Sequence, residues 1–446
     1  MSTPASETMP ARWVPLLYFA FGHLCLAAAF AAVALRPEAL AGFYYHPRLL
    51  AVVHLVTLGW ITGSILGAIH IVGPLALRAP LPTRRRDFAA FGAFALGVMA
   101  MAAHFWTDEP GGMAAGAALA AVAVAYVSVR AIRAVARAPV PAAVRVHLVL
   151  AFANAIAAAT AGVLLGVNKV HPFLPGFVLS NVAAHAHLAA VAFATMTLMG
   201  SAYRLLPMML PAAMPRGPLV WAGAGLVQLG AWGLFLALVS GSRAAGPCAA
   251  LIVAGLAVFF TRVGWMLRHR RPPPSEMARP DLGTVHAFVA FVYLVASAVL
   301  GLVLAFAPAS EQTLRLTLLY GVTGLVGFLA QVVVGVQARL VPLFGWLWGF
   351  ADADHQRFPP PMHGLVDRRV HALVVLLWLA GVPLLAAGFY ADRTTTIAAA
   401  GWTLLAAVGL GAMQNVAALR RAWDPRGFRP PPGARGHGTP GRDAVE

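Results

Sequence analysis

Twelve apolar runs of about twenty residues, each bounded by charge, Pro or Gly, constrain what this chain can fold into. That length of helix crosses the roughly 30 Å hydrocarbon core of a bilayer. A lone span in lipid must satisfy its own backbone hydrogen bonds, so each run is expected to be helical. The runs lie at 13–35, 49–73, 88–106, 112–136, 144–167, 177–205, 218–240, 246–266, 282–307, 315–341, 369–390 and 395–419. Only 11% of the 446 residues are charged, against roughly 25% in soluble chains. That excludes a soluble enzyme, a disordered chain and a tail-rich binding module. The expectation is an all-α polytopic membrane protein whose principal partner is the lipid bilayer. Residues 1–12 then form a cytoplasmic N-terminus, 13–421 a single twelve-helix membrane domain, and 422–446 a disordered, Pro/Gly/Arg-rich cytoplasmic tail.

The net charge of +17 needs no nucleic acid to explain it. With the N-terminus inside, twenty-six of the thirty-two Lys and Arg fall in inner segments. The positive-inside rule therefore predicts an N-in, C-in protein of a bacterial-type inner membrane. The first run carries no small-residue cleavage site and reads as a retained helix. Cys25 and Cys248 are too few for a disulfide framework, and neither lies in the C-x-x-C-H pattern of covalent c-type haem.

Three runs align without gaps: His54–Pro74, His187–Pro207 and Val322–Pro342, at offsets of 133 and 135 residues. Gly67, Gly200 and Gly335 coincide, as do the three prolines. The twelve spans thus divide into three pseudo-symmetric units of four, at about 13–137, 144–271 and 281–421. The second helix of each unit is the distinctive one. Twenty residues separate its first aligned position from its proline, about 30 Å of helix. His54 and His187 are therefore expected at matching depth near the outer face.

Histidine inside a span is costly to bury and is read as functional by default. His54, His104, His185 and His187 map to the outer half, with His46 and His171 in outer loops. His70, His147, His286 and His371 map to inner helix ends and read as interfacial or helix-terminal residues. His269, His355, His363 and His437 belong to inner loops or the tail, and His23 to mid-membrane. The coherent set is His54, His185 and His187, in apolar surroundings without carboxylate or thiolate, which favours haem iron over zinc. His185 and His187 point about 200° apart, so one helix presents an imidazole to each of two neighbouring sites. By the repeat register, His187 is the expected partner of His54. His104 is an additional candidate outer metal ligand.

All fifteen acidic residues fall outside the twelve runs, which argues against ion-coupled transport through a carboxylate relay. Asn154, Asn181, Gln228, Gln331 and Gln337 read as interhelical hydrogen bonds. Lys169, the only lysine, reads as an interfacial anchor, with pairing to a haem propionate as the alternative. Trp60, Trp106, Trp346, Trp348 and Trp402 read by default as belt residues.

The stretch Ala184–Met209, beginning A-H-A-H and ending in Tyr203 and Pro207, resembles the H-x-H helix of haem-copper oxidase subunit I. His54 through Pro74, continued by Leu75–Pro80 and the basic Arg84–Arg86, resembles that family's second helix. The resemblance implies twelve helices in three four-helix arcs. It implies a low-spin b-type haem on His54 and His187, a second haem on His185, and nitric oxide or oxygen chemistry fed by a cytochrome or quinol donor. A small accessory subunit would accompany it. The chain departs from that pattern in placing H-x-H on the sixth run rather than the tenth. It also has no His-His pair, so copper lacks its ligand set. A looser similarity is to NnrS-type twelve-helix haem proteins, which implies a non-catalytic haem or nitric oxide response role. A haem-free transporter or membrane-complex subunit is the remaining alternative.

Overall fold

The computed structural model describes residues 9–272, 281–350 and 362–423. Among them are twelve helices long and apolar enough to cross a membrane. These are α1 (Trp13–Leu35), α2 (Pro47–Ala76), α3 (Arg85–Thr107), α4 (Pro110–Ala136), α5 (Ala142–Val170) and α6 (Val178–Met208). They continue with α7 (Pro218–Ser240), α8 (Ala245–Arg268), α9 (Leu282–Phe306), α10 (Glu311–Gly349), α11 (Arg368–Tyr390) and α12 (Thr394–Trp423). The helices overrun the apolar runs because capping needs polar residues. Asp281 accepts from Thr284 N at 2.7 Å to start α9. Asp367 starts α11 by accepting from Arg369 N at 2.8 Å. Ala422 and Trp423, expected in the tail, end α12; residues 424–446, like 1–8, lie outside the described residues.

The packing order is a closed ring. Its members run α1, α3, α4, α5, α7, α8, α9, α11, α12 and back to α1, with α2, α6 and α10 inside it. Each inner helix carries a π-helical segment at the same place: Leu55–Thr62, Leu188–Thr195 and Val322–Ala330. Two of these begin directly after His54 and His187. A π segment closes hydrogen bonds one residue further along and so re-aims the faces on either side of it, a feature frequent at functional sites. The π segment of α10 packs against those of both α2 and α6. Trp60 belongs to this centre, not to an interfacial belt: it is 1% exposed and donates Nε1–H to the Ala330 carbonyl at 3.1 Å.

The three aligned glycines have one packing job. A Cβ on Gly67 would stand 2.9 Å from Tyr18 Cβ of α1, one on Gly200 2.7 Å from His147 Cβ of α5, and one on Gly335 2.9 Å from His286 Cβ of α9. In each case the inner helix closes onto the helix preceding it in the chain, and small residues permit that approach. Pro74, Pro207 and Pro342 lie inside the distal parts of the same helices. We call this the proline end and the opposite one the histidine end.

Candidate functional site

His54 closes the α-helical part of α2. Its Nδ1–H donates to the Leu50 carbonyl at 2.7 Å, four residues back. That bond assigns the neutral tautomer with a lone pair on Nε2, the form in which imidazole binds a metal. The ring stacks on Phe105 of α3, with centroids 4.9 Å apart and planes 16° from parallel. His187 is held the same way, donating Nδ1–H to Ala183 O at 2.7 Å. Its Nε2, however, accepts the hydroxyl of Tyr320 from α10 at 3.1 Å, and the two rings stack at 5.9 Å.

His185 points the other way. It lies against Gly162 of α5, where a Cβ would come 3.0 Å from its Cε1. Its Nδ1 is buried without a hydrogen-bond partner. The imidazole that bears electrostatically on His185 is His54. Across α6 and α10 the structure pairs His187 with Tyr320, while His54 of α2 lies within electrostatic reach of His185 of α6. Nε2 of His187, the residue expected to partner His54, is bonded to the Tyr320 hydroxyl.

The repeat itself supplies the reason. His54, His187 and Val322 are equivalent positions, and so are Val52, His185 and Tyr320, two residues earlier. Positions equivalent in the repeat lie on equivalent faces of their own helices. Neighbouring inner helices meet through opposed faces, and positions two apart lie about 200° apart on a helix. Each inner helix therefore offers the earlier position to the preceding inner helix and the later one to the next. Tyr320 was findable from the 135-residue offset alone. Gly162 had no signal in the sequence.

Along the π segments α10 approaches α2 and α6 more closely than those two approach each other. His54, His185 and His187 are only partly buried at the histidine end although they point inward. At the proline end α2 and α6 are tied by Arg204, whose Nε donates to Ala76 O at 2.8 Å. The cations at the histidine end include Lys169, over the Tyr45 ring at 4.9 Å, and Arg48, over Trp106 at 5.9 Å. Arg315 is paired with Glu311 at 2.7 Å. His104 turns away from the trio and bonds Glu109 Oε2 at 3.0 Å on an exposed surface.

Four histidines expected to be interfacial or helix-terminal are inside the protein. His70, His147, His286 and His371 are 2%, 0%, 0% and 8% exposed. His286 and His371 stack at 5.9 Å with planes 22° apart, and both ring nitrogens of His286 lack a partner. Their positions near helix ends suggested water, but neighbouring helices cover them: Gly200 of α6 closes on His147 and Gly335 of α10 on His286. His355 and His437 lie outside the described residues.

A buried carboxylate was also missed. Asp87, in the first turn of α3, is 1% exposed and ion-paired with Arg130 of α4. It also accepts from Tyr126 OH at 3.1 Å and from Arg84 N at 2.6 Å. Among the polar span residues, Asn154 is interhelical as expected, donating to Ala192 O and Gln228 Oε1 and accepting from Trp232 Nε1. Gln337 donates to Ser64 of α2 at 2.9 Å. Asn181 bonds the adjacent loop at Pro175 O instead, and Gln331 is 0% exposed with neither amide atom partnered.

Among the described residues no group of three His, Cys, Asp or Glu could hold a metal ion. No protein-family model and no curated protein matches the chain, so the site's chemistry rests on its geometry.

Proposed function

We propose that this chain is a membrane haem protein, an oxidase-subunit-I-like bundle of three four-helix arcs holding a b-type haem at the histidine end. The observation that carries the reading is His54. Its tautomer is set by Leu50 O, which leaves Nε2 as its metal-binding atom, and a second imidazole, His185 of α6, lies within electrostatic reach. Haem suits this donor set better than a bare ion does. Zinc and copper sites draw three or four protein ligands, whereas haem iron needs one or two axial side chains. His54 and His185 would hold the group, Gly162 and Phe105 would flank it, and Lys169 and Arg48 are cations available to its carboxylates. Haem, when bound, would supply reversible one-electron chemistry, and would take a diatomic gas only in exchange for one of the two imidazoles. The chain's own contribution is to orient the His54 imidazole through its bond to Leu50 O and to seat His185 against Gly162.

The three aligned glycine contacts and the three π segments support the arc reading. The arginine bias supports an N-in, C-in orientation in a bacterial-type membrane. Electrons would come from a cytochrome or quinol donor, with a small accessory subunit alongside. The lack of any three-donor metal group among the described residues favours a nitric oxide or oxygen response role without turnover as the second reading.

The test is a reduced-minus-oxidised optical spectrum of the purified protein in detergent. We expect sharp low-spin bands, lost in His54→Ala and in His185→Ala but kept in His187→Ala. A folded, haem-supplied protein without a Soret band refutes the haem reading. Loss in His187→Ala with retention in His185→Ala refutes the assigned pairing.

A further inference from the structure

A second polar site lies deep between α1, α2, α10, α11 and α12, away from the His54–His185 pair. It is a cleft with ≈ 440 Å³ of empty volume, the open space at its mouth included. His23, Gln337, His371, Gln414 and Asn415 line it, with Trp60 and Trp378 as aromatic walls. These five polar side chains come from four different helices, and none of the lining residues is an acid, a lysine or an arginine.

Their hydrogen bonding is half complete. Gln337 is 2% exposed; its amide donates to Ser64, and its Oε1 has no partner. His371 is 8% exposed with Nε2 unpartnered. Gln414 Oε1 is buried and unpartnered as well. His23 donates Nδ1–H to Phe19 O at 2.9 Å, which leaves its Nε2 as an acceptor, 3.5 Å from Asn415 Nδ2. Interior polar groups in native proteins are nearly always satisfied, by protein or by ordered water. An apolar occupant would leave these acceptors bare. An ion would find no counter-charge in the wall. The occupant that fits is neutral, small, and able to donate as well as accept.

We propose that this cleft is a hydration site, a cluster of ordered water held by Gln337, His371, Gln414 and His23 within the membrane-spanning bundle. A buried water makes about three hydrogen bonds to otherwise unsatisfied groups, and Gln337 Oε1, His371 Nε2 and Gln414 Oε1 are three such atoms. The His286 ring, stacked on His371, extends the polar strip from the cleft toward α9. The cluster is independent of haem and would be present in the haem-free protein.

Radiolytic hydroxyl labelling in ¹⁸O-water, read by mass spectrometry, tests this on the full-length protein in detergent. Trp60 and Trp378 are 1% and 0% exposed, so bulk solvent does not reach them. Water in the cleft should nevertheless place ¹⁸O on both rings. Phe94 and Phe344, 0% exposed and away from the cleft, should stay unlabelled after correction for intrinsic reactivity. Gln337→Leu with Gln414→Leu should abolish the Trp60 and Trp378 labels and leave exposed Trp13 and Trp402 unchanged. Wild-type Trp60 and Trp378 as silent as Phe94 and Phe344 would overturn the proposal. So would undiminished labelling in a double variant that remains folded by the unchanged labels elsewhere.

Discussion

The buried pair Asp87–Arg130 allows an asymmetric prediction. Asp87 is 1% exposed, whereas Arg130 is 14% exposed and also donates to Pro82 O at 2.7 Å. Removing Arg130 strands the carboxylate between α3 and α4 with two neutral donors and no counter-charge. Breaking a buried pair in this way costs about 3–5 kcal/mol. Removing Asp87 strands a guanidinium that keeps the Pro82 carbonyl and has a route to water. Its loss is that of charge-assisted hydrogen bonds, about 1.5–3 kcal/mol, with about 1 kcal/mol more for the lost cap of α3. In the double variant no charge is left buried, so its deficit should match Asp87→Ala alone. The assay is thermal unfolding of all four proteins in one detergent at one pH. The expected order of apparent Tm is wild type, then Asp87→Ala and the double variant together, then Arg130→Ala lowest. The reasoning is refuted if Arg130→Ala unfolds with the wild type, or if the two single deficits simply add in the double variant.

Gly67→Ala, Gly200→Ala and Gly335→Ala should each lower Tm, since each Cβ meets atoms of the preceding helix within 3.0 Å; Gly92→Ala, with nothing within 4 Å, should be neutral or raise stability by up to about 1 kcal/mol through helix propensity. Tyr320→Phe should cost about 1 kcal/mol for its hydrogen bond to His187 and leave any haem signal intact; loss of that signal would show that the α6–α10 pair holds the group. Gly162→Leu should displace His185 without touching His54, and comparison of its optical spectrum with that of the smaller Gly162→Ala variant checks the role of that cradle. Asp281, outside the membrane-spanning segments, is raised by partial burial but held below its ordinary range by the stronger combined effect of hydrogen bonds from Arg339 and Thr284. A lowered folded-state value means the stabilisation is complete above the unfolded value of 3.8 and lost as pH falls through the folded one. The Tm gap between wild type and Asp281→Asn should therefore be constant above about pH 5 and close below about pH 4; a gap that widens in acid would refute the assignment.

Twelve membrane-crossing helices could be read from the order of residues alone, because a bilayer imposes one length and one polarity on every span. The special standing of α2, α6 and α10 was legible for a related reason. Their shared Gly and Pro positions record a contact repeated three times, Gly67 on α1, Gly200 on α5 and Gly335 on α9. What a helix touches sideways is not written in that pattern. Whether His187 faces His54 or Tyr320 depends on how neighbouring inner helices present opposed faces, a relation between helices and not within one. The burial of Asp87 and of His286 follows from α4 and α10 covering helix ends that, in the linear sequence, look exposed to water. Composition and periodicity thus determine the spans and their repeat. Only close packing decides which polar atoms find partners, and so which side chains are left for a ligand.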